Sequence, residues 1–121
     1  DIFPMRFLIL IIAMLSVVTP ANAQLQASTF IKMYNNGGDE KETAIQFLGA
    51  MYHGIEISNQ VLKAQGRQML YCMPSSMKNT NTVESAFPIF RIEFFKNVER
   101  YGRSHPAYPL MKGLINSFPC P

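Results

Sequence analysis

The chain has 121 residues, a formal net charge of +3, 48% hydrophobic residues and only two cysteines. Its eleven basic residues are scattered along the sequence and do not form a block of the kind that grips phosphate backbones, so a nucleic-acid partner is not expected. The length excludes a multidomain assembly and leaves room for one compact core.

The first residues read as a targeting segment. Arg6 supplies a positive charge, Phe7 to Val18 form an apolar run, and Ala21-Asn22-Ala23 has the small-x-small pattern that a signal peptidase cuts after. The run is shorter than the roughly 20 apolar residues that a permanent transmembrane helix needs. Residues 1–23 are therefore expected to be a signal peptide, cleaved after Ala23, with Asp1 to Pro4 upstream of a natural start at Met5. Residues 24–121 are expected to be a single periplasmic domain with no membrane attachment after cleavage. Two cysteines in an exported chain favour a disulfide, because that compartment is oxidising. A bridge from Cys72 to Cys120 would fasten the end of the chain to its middle, and loop-closure entropy assigns it about 4 kcal/mol.

The first predicted element is a weak helix from Gln24 to Tyr34, with Phe30, Ile31 and Tyr34 on one face. Asn35-Asn36-Gly37-Gly38-Asp39 then reads as a loop. A strong helix is predicted over about 42–65. Its start is acidic at Asp39, Glu40 and Glu42, and Ala44, Phe47, Leu48, Met51, Tyr52, Ile55 and Leu62 recur at the spacing of a buried face. Gly66 is the predicted stop. Gly49 and Gly54 sit inside that helix, where each costs about 1 kcal/mol relative to alanine. Close approach by another helix or side chain is the simplest reason for them.

Met69-Leu70-Tyr71-Cys72 reads as a buried connector, ended by Met73-Pro74-Ser75-Ser76. A third helix is predicted to start with a cap at Asn81 or at Ser85. The first choice leaves Pro88 in the helix interior and the second places it harmlessly in the first turn. Phe87, Phe90, Phe94, Val98 and Tyr101 form its apolar stripe, with Glu93, Lys96, Asn97 and Arg100 mostly off it. Tyr101-Gly102-Arg103-Ser104-His105-Pro106 ends that helix. A short last helix follows, with an apolar face of Leu110, Met111, Leu114, Ile115 and Phe118, and Pro119 delivers Cys120. No stretch alternates with the period of a strand. The expected fold class is all-α, a small bundle of about four helices with one disulfide.

No catalytic constellation is visible. His53, His105, Cys72 and Cys120 are too isolated from one another for the paired spacing of a zinc site, and Asp39, Glu40, Glu42, Glu56, Glu93 and Glu99 form no acid–base pair. No metal, no cofactor and no enzymatic activity are expected, which leaves binding.

At this point a family pattern emerges. Phe47-Leu48-Gly49-Ala50-Met51-Tyr52-His53-Gly54, then Leu70-Tyr71-Cys72-Met73-Pro74, then His105-Pro106, then Phe118-Pro119-Cys120-Pro121, resembles in order and spacing the Rap/Tai immunity proteins. The resemblance covers about residues 44–121. It implies a small helical exported protein that neutralises a peptidoglycan amidase effector of type VI secretion by direct binding. The chain lacks the further cysteine pair that many members carry near the first helices, its turn after Cys72 is poorer in proline, and Pro88 is a departure. Contact surfaces are expected among the loops Asn35 to Glu40, Pro74 to Asn81 and Arg103 to Tyr108. The last is favoured because Arg103, His105 and Tyr108 combine arginine and aromatic character. A homodimer through a helix face is a further expectation. The alternative readings are a periplasmic acid-stress chaperone of the HdeA type, also helical and held by one disulfide, and an exported helical domain or toxin fragment of other role.

Overall fold

The computed structural model describes residues 25–74 and 82–121. The predicted signal peptide and the segment from Ser75 to Asn81 lie outside the described residues, as does the proposed cap at Asn81. The described residues form five helices and no strand: α1 Ala27–Asn36, α2 Gly38–Ala64, α3 Thr82–Lys96, α4 Val98–Gly102 and α5 Ala107–Ser117. None of these is long and apolar enough to cross a membrane.

The weak first pattern becomes a full ten-residue helix because tertiary contacts hold both its ends. At its start the Ala27 amide donates to the Ser104 carbonyl at 2.8 Å, and the Ser28 hydroxyl donates to the Gly102 carbonyl at 2.9 Å. Further along, Phe30 is wholly buried with its ring edge-on to Phe90 at 5.1 Å, while Tyr34 stacks on Phe87 at 3.5 Å. The predicted loop at 35–39 contracts to one residue, Gly37. Gly37 and Gly38 have φ of 71° and 56°, a left-handed conformation that lets the chain turn within one residue before α2 begins. Residues 35–40 therefore belong to two helix ends and not to a projecting loop.

α2 runs for 27 residues, beginning four residues earlier than predicted. Ala44, Leu48 and Tyr52 are buried on its core side, with Met51 and Ile55 packed beside them. Phe47, predicted to share that face, is 51% exposed. At 100° per residue Phe47 stands about 140° around the helix from Tyr52, outside the arc of the buried Ala44, Leu48 and Tyr52. The stop is as predicted in kind: Gly66 has φ of 68°, and the Gly66 and Arg67 amides return to the carbonyls of Lys63 and Leu62.

α3 begins at Thr82, so Ser85 is inside the helix and Pro88 lies in its interior. Pro88 has no N–H to offer the preceding turn, a defect worth about 3 kcal/mol in an isolated helix. Burial offsets it: Phe87, Phe90 and Phe94 are all in the core, and each large apolar side chain so buried contributes about 1.5–3 kcal/mol. The stripe does not continue into Val98, which is 48% exposed. The helix breaks at Asn97, whose side chain accepts the Arg100 amide at 3.1 Å and starts α4, so the periodicity is reset there.

α5 closes the bundle on α3, with Leu110 and Leu114 fully buried. Gly113 lies close against α3. A Cβ added there would lie 2.9 Å from both the Cγ2 and the carbonyl oxygen of Ile89.

Glu93, predicted to lie mostly off the apolar stripe, is only 4% exposed. Its carboxylate accepts the Tyr101 hydroxyl at 2.7 Å, the Lys96 ammonium at 2.9 Å and the Asn116 amide at 3.1 Å. One side chain thereby ties α3 to α4 and α5. Burial by itself raises the Glu93 pKa, but the bonds from Lys96, Tyr101 and Asn116 and the charge of Lys96 outweigh it and hold the group below 4.5. Because the folded-state value is depressed, the stabilisation is whole above pH 4.5 and is lost as the pH falls through the lowered value. The melting temperature is expected to drop through that acid range, and Glu93→Gln is expected to lower it at neutral pH and flatten its acid dependence. Thermal melts of both proteins from pH 7 to pH 3 check this; parallel curves would remove Glu93 as the cause.

Candidate binding site

Tyr52, Glu56, Asn59 and Lys63 recur along α2 at helical spacing and share a flank next to the core face. After Gly66 the chain reverses and runs back along that flank as an extended connector. Two sets of bonds hold it there. On the helix side, Asn59 is buried; its Oδ1 accepts the Leu70 amide at 2.7 Å and its Nδ2 donates to the Tyr71 carbonyl at 2.8 Å. A single asparagine does for the connector what a neighbouring strand would do. On the other side, the Cys72 amide donates to the Phe118 carbonyl at 2.8 Å, and Cys72 is joined to Cys120 with Cα atoms 4.9 Å apart. The disulfide is thus where the sequence places it.

Between α2 and the connector lies a groove of about 700 Å³, lined among others by Tyr52, His53, Glu56, Gln60, Lys63, Met69 and Met73. Glu56 is half-buried in its wall. The wholly buried Tyr71 donates its hydroxyl to Glu56 Oε1, and the Tyr52 hydroxyl lies 3.5 Å from the same oxygen and 3.7 Å from the Met73 sulfur. Burial first, and then the neighbouring Glu56, push Tyr52 up to about 12 and Tyr71 higher still. Both phenols therefore stay protonated donors throughout the physiological range. The lining offers the Glu56 carboxylate, steadied from behind by the two buried phenols, together with polarizable methionines and a histidine and lysine from α2. Such a surface suits hydrogen bonding and packing against a mixed polar and apolar segment.

Comparison with protein-family models, with curated proteins and with solved structures returned no match for this chain.

The residues singled out in the sequence fall elsewhere. Arg103 and His105 are exposed in the turn between α4 and α5. The His105 Nδ1 already accepts the Ala107 amide at 3.1 Å, so that ring helps start α5. Tyr108 is half-buried, its ring 5.7 Å from that of Tyr101 and its hydroxyl 3.3 Å from the Arg100 guanidinium. None of the three lines the groove. Of the helix glycines, Gly49 is buried, whereas Gly54 is exposed and a Cβ there would meet nothing within 4 Å. Among the described residues, close approach does not explain Gly54. Among the described residues no three His, Cys, Asp or Glu side chains gather as a metal site.

Sequence reasoning missed Glu56 and Asn59 as the residues that build the groove. Asn59 stands between Ile55 and Leu62 on the apolar side of a long helix, and a polar residue there, followed by a helix stop and a short apolar run, is the signal that could have found the connector.

Proposed function

We propose that the protein is an exported, immunity-type binding protein that neutralises a peptidoglycan amidase effector of type VI secretion by direct contact. The resemblance to the Rap/Tai proteins supplies the job. The observation that supports it best is the doubly held connector, since a wall fixed by Asn59 on one side and by the disulfide on the other presents a preformed groove, and little ordering entropy is lost when a partner docks. The exposed Arg103 and His105 offer secondary anchors outside it.

One observation favours the acid-stress chaperone as the second reading. The buried Glu93 carboxylate bonds Lys96 of α3, Tyr101 of α4 and Asn116 of α5, and protonation in acid is expected to weaken that knot. A pull-down from periplasmic extract and candidate amidases, run at neutral pH and near pH 3, separates the two. Tight one-to-one capture of an amidase at neutral pH with loss of its activity is the expected result. Capture of many unfolded proteins only in acid would replace the immunity reading with the chaperone one.

A further inference from the structure

The acid and the base of the groove are Glu56 and Lys63, on the flank of α2 that also carries Tyr52 and Asn59. Two turns of helix separate them, about 10 Å at 1.5 Å per residue, and keep them nearly in line. Neither forms an ion pair among the described residues, where Lys96–Glu93 is the one salt bridge.

Glu56 is built into the wall. The phenols of Tyr71 and Tyr52 both reach its Oε1, and none of the hydrogen bonds among the described residues reaches Oε2. Two neutral donors orient the carboxylate without cancelling its charge, which leaves a fixed acceptor for a cation from outside the chain. At this end the Met73 sulfur lies 3.7 Å from the Tyr52 hydroxyl, and Met69 lines the groove at the start of the connector. Thioethers so placed pack against the alkyl stem of a long basic side chain. At the other end Lys63 is exposed and supplies the opposite charge.

We propose that the groove takes an extended segment of a partner protein with a basic and an acidic side chain three residues apart, the base on Glu56 and the acid on Lys63. This rests on the binding function proposed above and names what the partner carries. Spacing selects the conformation. In a polyproline II segment, side chains three apart share a face and rise about 9 Å, close to the separation of the two anchors. In a strand, side chains on one face are about 7 or 13 Å apart, and the match is poorer. The α2 side of the lining runs from Tyr52 to Lys63, about 16 Å, room for about five residues of such a segment. His53, Gln60 and Lys63 are exposed along the rim, so a chain can enter and leave, as a closed ligand cavity would not allow.

The test is a chemical-shift titration of the oxidised protein with two capped tetrapeptides, Arg-Pro-Pro-Glu and its reverse, Glu-Pro-Pro-Arg, which cover both chain directions. One of them is expected to bind saturably, with shifts at the residues that line the groove. Glu56→Gln keeps an oxygen for the two phenols but removes the charge, and should weaken that binding at least about tenfold. Lys63→Glu, at an exposed position, should weaken it as much and should turn the preference to the same peptide with lysine in place of glutamate. A purely structural role for either residue would not give that reversal. Saturable binding of neither peptide would overturn the proposal, as would binding that both variants leave intact or a Lys63→Glu protein without the reversed preference. No amidase enters the titration: peptide binding without amidase capture removes the immunity reading alone, and amidase capture without peptide binding removes this one alone.

Discussion

Cys72→Ser and Cys120→Ser are each expected to melt at least about 15 °C below the oxidised parent. The bridge closes a segment with a sequence separation of 48 residues, for which loop-closure entropy gives roughly 4 kcal/mol. In a domain of this size each kcal/mol moves the midpoint by about 4–8 °C, and total stability is only about 5–15 kcal/mol. The loss is not confined to entropy. Without the bridge the connector keeps the Cys72 amide bond to Phe118 and its two bonds to Asn59, but the chain end that carries Phe118 is no longer tethered. Thermal melts of the oxidised, reduced and serine forms check this, and equal midpoints would show that the clasp is dispensable.

Gly113→Ala should be the most damaging single-methyl addition in the described core. The new Cβ would stand 2.9 Å from the Ile89 carbonyl oxygen, and 3.3 Å from the Glu93 Cβ. A flexible side chain could swing away, but a carbonyl in the helix α3 cannot move without shifting the helix. Overpacking of this kind costs about 1–3 kcal/mol, and here it pushes on the residue that holds Tyr101 and Asn116. Alanine has the better helix propensity by up to about 1 kcal/mol, so the sign of the measured change decides the matter. Denaturant unfolding of the two proteins gives it directly: a lower midpoint is expected, and an unchanged or higher one would mean that α5 is free to back away from α3.

How much of this could be read beforehand depended on what each residue's role rests on. The helical class, the long central helix with its Gly66 stop and the buried positions of Phe90, Phe94, Leu110 and Leu114 follow from periodicity and turn chemistry, which are local. The Cys72–Cys120 pairing needed only a count. Phe47 and Val98 were misplaced because periodicity describes a face without saying how wide a neighbour covers it, and because the cap at Asn97 restarts the register. Gly37 was read as part of a loop when two consecutive left-handed glycines turn the chain at a single residue. Glu93 was read as off the stripe because the residues that satisfy its carboxylate lie 8 and 23 positions away, on helices whose docking no local pattern reveals. The groove was invisible for the same reason: Glu56 meets Tyr71, and Asn59 meets Leu70 and Tyr71, only after the chain has reversed at Gly66.

The measurement that tests the account most directly is an inhibition titration of a cognate amidase with the oxidised protein and with two exposed-surface variants, Lys63→Glu in the groove and Arg103→Ala in the α4–α5 turn. Binding through the doubly held connector predicts complete inhibition at one chain per enzyme, a large loss of potency for Lys63→Glu and little change for Arg103→Ala. Full potency with Lys63→Glu, or no inhibition by the parent protein of any amidase offered to it, would contradict it.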